Sequence, residues 1–141
     1  MIIDGIRKYF KDCPLLEGGK IKVDFLPPEA GKYSIEPVPV KPEIRKYVDG
    51  SCQKQFVFEF ASRKNLDASD LTNLENNGFY EQLEAWINEN NRAKTFPQLG
   101  DKKFAQRVEC LTHGYNYGQD GKTGRYQIQC RVIYLEVGSV K

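Results

Sequence analysis

Apolar positions near the start of the chain fall at helical spacing. Ile2, Ile3, Ile6, Tyr9 and Phe10 form one stripe, and Asp4 puts a negative charge in the first turn. The spacing predicts a short N-terminal helix that stops by Cys13-Pro14, because a residue before proline is pushed out of the helical region. Ile21-Lys22-Val23-Asp24-Phe25 alternates apolar and polar side chains and predicts a strand, stopped by Pro27-Pro28. The stretch over approximately 27–50 is less regular. Ser34-Ile35-Glu36-Pro37-Val38-Pro39-Val40-Lys41-Pro42 carries three prolines, which cannot donate to a strand ladder. It reads as an edge strand or an extended arm. Such an arm either lies on a partner or packs as a connecting loop on its own domain.

Phe56-Val57-Phe58-Glu59-Phe60 is the clearest strand, with three phenylalanines on one face that reads as a core face. Asp67 to Asp70 then supply capping residues. Leu71, Leu74, Phe79, Leu83, Trp86 and Ile87 predict one amphipathic helix over roughly 71–90. Gly78 interrupts the pattern and marks a junction with a shorter helix before it. Asn88 to Asn91 and Pro97 end it. Two strands follow, Lys103 to Thr112 and Arg125 to Val137. In the second, Tyr126, Ile128, Cys130, Val132 and Tyr134 make an apolar face, and Gln127, Gln129 and Arg131 a polar one. The glycine-rich segment 114–124 joins them as a hairpin with a turn near Asp120-Gly121. Its register is open: a centre on Asp120 puts Cys110 opposite Cys130, and a centre half a step later does not. The expected fold is α+β, with a mainly antiparallel sheet, one amphipathic helix packed on a face, a short N-terminal helix and an extended arm.

At 141 residues the chain has the size of one domain, 1–141, and buries a core without a disulfide or metal staple. No run approaches 18 consecutive apolar residues, so no membrane span is expected. The first residues lack the basic-then-apolar order of a secretory signal. Twenty-one basic residues face nineteen acidic ones, and both halves of the chain are balanced, unlike the concentrated positive charge of a dedicated nucleic-acid binder. Cys13, Cys52, Cys110 and Cys130 are far apart and read as reduced, mostly buried thiols of a cytosolic protein. Cys110 and His113 form a C-x-x-H pair, but zinc needs two more ligands and Cys130 supplies only one nearby. Strand alternation also sends Cys110 and His113 to opposite faces, which argues against a catalytic pair and leaves His113 as a polar residue at a strand end.

Other catalytic motifs fail in the same way. Gly121-Lys122-Thr123 lacks the earlier glycine of a phosphate loop, where Asn116 stands, and joins two strands instead of a strand and a helix. Asp67 with Asp70, and Glu81 with Glu84, are spaced for acid–base work but sit at a helix start or on an exposed helix face. No nucleophile elbow, zinc-protease helix or Cys-x-x-Cys occurs. No catalytic residue, cofactor or metal is expected, and the domain is expected to work through its surfaces.

Four runs carry a resemblance. They are Ser34-Ile35-Glu36-Pro37-Val38-Pro39 with Tyr47-Val48-Asp49-Gly50, the strand from Gln55 to Arg63, the segment from Gly78 to Ile87 that holds Trp86, and the strand from Tyr126 to Tyr134. In this order they resemble the tail-terminator-like or minor capsid proteins of long-tailed bacteriophages and prophages. The resemblance implies an α+β subunit of a hexameric ring that caps the tail tube, ends its polymerisation and offers the head-docking surface. It implies as partners a second copy of the chain, the tail tube protein and a head-completion or connector protein, with DNA only passing through the ring. It places the protein in the host cytoplasm during assembly and then in the virion neck. Ring or tube contacts are expected at Tyr33, Ile35, Tyr47, Tyr115, Tyr117, Lys122 and Arg125, since interfaces favour tyrosine and arginine. The competing readings are another neck or head-completion protein, a small cytosolic enzyme or nucleotide-binding domain, and a DNA-binding module.

Overall fold

The computed structural model describes residues 2–16, 21–23, 26, 32–65, 70–120 and 123–138. In chain order these form helix α1 (Ile2–Lys11), a 3₁₀ turn (Pro14–Leu16), strands β1 (Ile21–Val23), β2 (Tyr33–Pro37), β3 (Glu43–Lys46) and β4 (Cys52–Asn65), helix α2 (Asp70–Arg92), and strands β5 (Lys103–Cys110), β6 (Tyr115–Asp120) and β7 (Thr123–Glu136). The α+β reading therefore holds. One seven-stranded sheet follows the order β1-β2-β4-β7-β5, antiparallel except for the parallel β1–β2 pair.

The sheet is built on its two longest strands. β4 and β7 have 14 residues each and pair along their whole length, from Cys52↔Glu136 to Asn65↔Thr123. Each carries two short strands end to end on its outer side. β2 and β3 lie along β4, and β6 and β5 lie along β7.

The segment expected as an edge strand or arm is thus extended and lies on its own domain. Between β2 and β3 the ladder continues: Val38 N–H donates to the Val57 carbonyl at 2.9 Å, and Gln55 N–H donates to the Pro42 carbonyl at 2.8 Å. Proline has no N–H to give, but its carbonyl still accepts, so a proline-bearing segment can hold an edge position.

Alternation along β4 and β7 divides the sheet into two faces. Phe58 and Phe60, with Ile128, Cys130 and Val132, turn to the side where both helices pack. Phe10 of α1 lies 4.8 Å from Phe60 and 5.8 Å from Phe58, ring centre to ring centre, and Trp86 of α2 lies 5.8 Å from Phe10. Helix α2 runs through Gly78 without a break, so the expected junction is absent: a β-carbon there would meet nothing, and helical context outweighs the modest cost of one glycine. Gly5 has a specific reason. α1 passes so close to the segment before β5 that a β-carbon at Gly5 would lie 1.7 Å from the Gln98 carbonyl oxygen.

Candidate interaction surfaces

The seven expected contact residues separate into distinct environments. Tyr33 and Ile35 are corrected: they are 6% and 0% exposed and belong to the core. Tyr33 stacks on Phe60 and Phe79 at 5.8 and 6.1 Å. Their register explains this, since Tyr33↔Ser62 and Ile35↔Phe60 place both on the helix-covered face. Lys122 lies outside the described residues. Tyr117 lies in β6 at a register shift between Asn116 and Gly118, and its side chain is outside the described ones.

Tyr115 and Arg125 are brought together on the face without helices. Gln127 Nε2 donates to the Tyr115 hydroxyl at 2.7 Å, and Arg125 Nε donates to Gln127 Oε1 at 2.9 Å. Arg125 also holds Glu36 at 2.7 Å and Glu59 at 3.6 Å, so its guanidinium is engaged within its own chain. Ser34 Oγ donates to Glu36 at 2.8 Å, and Gln129 Nε2 donates to Glu59 at 3.2 Å. Further along, Glu109 receives Arg131 and Arg107, each at 2.6 Å, and Arg131 reaches Gln55 at 3.0 Å. Two clusters of charge-assisted bonds, the stronger class of hydrogen bond, thus tie β2, β4, β7 and β5 together, one around Arg125 and one around Arg131. The sequence shows their polar alternation in β7, but not the cross-strand partners that complete them.

Tyr47 lies at the opposite end of the sheet, in the turn between β3 and β4. Its N–H donates to the Ser51 carbonyl at 2.9 Å and its carbonyl accepts from Gly50 at 3.1 Å. Gly50 has φ 88°, a left-handed conformation that glycine adopts without strain. Every residue from 39 to 50 is exposed, including Val40, Ile44, Tyr47 and Val48. That is a cluster of large apolar side chains on one projecting hairpin, and such clusters mark contact surfaces. Reasoning from residue types found Tyr47 there but missed Ile44 and Val48. Beside it opens a cleft of about 510 Å³, lined by Tyr47, Lys54, Asp101, Lys102 and Glu136 among others. Lys54 bonds Glu136, and Lys103 stands 3.7 Å from the same carboxylate. The bond from Lys54 holds Glu136 below the usual carboxylate range, and the same bond holds Lys54 above the usual ammonium range.

The opposite edge of the sheet also exposes apolar side chains, Phe104 (59%) and Leu111. It is guarded at one point. Asn91 of α2 donates to the Val108 carbonyl at 2.8 Å and accepts from the Val108 N–H at 3.0 Å. A helix side chain thereby stands in for a neighbouring strand, one way of blunting a sheet edge.

The candidate chemistry rearranges as well. His113 lies beyond the end of β5, so strand alternation does not govern it. Its ring is 97% exposed and stands 3.2 Å from Glu84 of α2. The Cys110↔Cys130 pair forms. The hairpin tip closes at Asp120↔Thr123 between two strands, the setting that disfavours a phosphate loop. Among the described residues no group of three or more His, Cys, Asp or Glu is placed to hold a metal ion. No helix among them is long and apolar enough to cross a membrane. No protein-family model matches the chain, and no curated protein matches it.

Proposed function

We propose that this chain is a ring-forming structural subunit of the tail-terminator kind, which caps a phage tail tube, ends its growth and presents a docking surface for the head. The observation that carries the reading is the distribution of exposed apolar side chains. Val40, Ile44, Tyr47 and Val48 gather on the projecting 39–50 hairpin at one edge of the sheet, Phe104 and Leu111 lie at the two ends of β5 on the other edge, and Val23, Tyr115 and Val137 are exposed elsewhere. A closed ring is built head to tail, so each subunit needs two different patches on separate sides, whereas a two-fold dimer needs one patch facing itself. The sequence resemblance supplies the identity of the ring. The balanced charge of the chain suits an assembly that DNA only passes through.

Substituting Ile44→Asp and Val48→Asp together tests it. Both side chains are exposed, so the isolated chain should melt at an unchanged temperature. In light scattering the free wild type is expected at about six times the chain mass and the variant at the chain mass. Tubes should grow past their normal length when only the variant is present. Tubes that stop at normal length with the variant would remove the hairpin from the proposal. A wild type that neither assembles nor shortens tubes would remove the ring itself.

A further inference from the structure

We infer that Cys110 and Cys130 form a redox-active dithiol, oxidised by a peroxide to a disulfide that staples β5 to β7. The inference is independent of the ring reading. The two residues are direct cross-strand partners. Leu111 N–H donates to the Gln129 carbonyl at 2.7 Å, so the next position along is the hydrogen-bonded one. Val108, two positions before Cys110, turns both its N–H and its carbonyl to Asn91. Cys110 and Cys130 therefore occupy a non-hydrogen-bonded site, where Cα atoms stand about 4.5 Å apart. That separation falls inside the disulfide range of about 4.4–6.8 Å.

Both side chains lie on the helix-covered face, Cys130 within the core and Cys110 packed against it. Their access differs. Cys130 is fully buried, while Cys110 is half-buried at the strand end. The Cys130 thiol beside it lowers the Cys110 thiol below its ordinary range, and Cys110 together with burial raises Cys130. Cys110 is thus the sulfur that meets the oxidant and Cys130 the one that resolves. The Cys110 thiolate attacks one peroxide oxygen, the O–O bond breaks, and the leaving hydroxide takes up the thiol proton as water. Cys130 then attacks the Cys110 sulfenic acid, the S–O bond breaks, and the hydroxyl leaves as water with the Cys130 proton. Two thiols and one hydrogen peroxide give one disulfide and two waters. The bond would fix the β5–β7 pairing, where the ladder already shifts register between Ala105 and Arg107.

The test treats the reduced full chain with hydrogen peroxide and maps it by mass spectrometry after trypsin. The expected product has lost about 2 Da, joins peptides 108–122 and 126–131, and melts several degrees higher. In Cys130→Ala, dimedone should trap Cys110 as a sulfenic acid that the wild type does not accumulate. Should that variant misfold, Cys110→Ala serves instead and should abolish the joined peptide. Wild-type protein whose Cys110 passes to sulfinic acid, or remains a thiol with no joined peptide, overturns the inference.

Discussion

The two faces of the central sheet come from the same strands by the same alternation, yet they are held by different means. Toward the helices, Phe58, Phe60, Ile128 and Val132 meet Phe10, Leu83 and Ile87, and the contacts are mostly dispersion and burial. On the opposite face, Glu36, Glu59 and Glu109 are matched to Arg125, Arg131 and Arg107 across four strands. That face is far from fully solvated: Ala61, Ser34 and Gln127 on it are almost fully buried. The covered face should therefore lose stability in proportion to the volume removed, and the open face according to which partner is left alone.

The largest effect is expected on the covered face. Phe58→Ala should cost about 3–5 kcal/mol in urea unfolding, because a fully buried ring between Phe10 and Phe56 leaves a cavity. A cost under about 1 kcal/mol would mean that the helices do not seal that face. On the open face, Arg125→Met should cost about 1–3 kcal/mol by leaving Glu36 and Glu59 without their cation. Adding Glu36→Gln and Glu59→Gln should recover most of that loss, since the damage lies in the unmatched charge. No recovery would place Arg125 with the packing residues and blur the distinction between the faces.

A smaller test addresses a polar link within the covered face. The Tyr80 hydroxyl donates to the Tyr126 carbonyl at 2.8 Å, so the Ser62 hydroxyl, 2.6 Å away, donates to Tyr80. Burial pushes the Tyr80 phenol above its ordinary range. Tyr80→Phe should cost about 1–2 kcal/mol, with Ser62→Ala adding little on top, because both act through one chain of bonds.

The smallest expected effect is the pH dependence of Lys54–Glu136. Glu136 is lowered in the folded state, so its contribution is present above the unfolded carboxylate value and is lost as pH falls through the folded one. Lys54 is raised, so its share is present below the unfolded ammonium value and is lost as pH rises through the folded one. The pair is partly exposed, so the loss at either end should stay under about 1 kcal/mol. Glu136→Gln should flatten both limbs of the melting-temperature profile; an unchanged acid limb would assign it to other carboxylates.

Both faces were legible in the sequence to different depths. The phenylalanine strand, the Trp86 helix and the closing strands follow from alternation or 3.6-residue spacing, which are local properties of the chain. Tyr33 and Ile35 alternate with Ser34 and Glu36 just as clearly, but Pro37, Pro39 and Pro42 pointed to an arm. What resolved them was Phe60, the partner that Ile35 meets across the ladder. The charged clusters needed the same information, since Glu36 and Arg125 are distant in sequence and only their two strands' shared neighbour, β4, brings them together.

The Cys110↔Cys130 pair shows the division between chain and fold most sharply. Ten steps separate Cys110 from Asp120, but only seven separate Thr123 from Cys130, so the β5–β6 side carries three extra residues. One is taken up by the register shift within β6 and the rest by the connection between the strands. By itself the sequence determined the two helices and the long strands, the apolar side of those strands, and hence the α+β class, because these depend on neighbours within a few residues. Only the tertiary structure decided register, which edge stays open, which tyrosines are core and which charges meet. Those depend on pairings between distant segments, where one slipped residue turns every side chain to the other face.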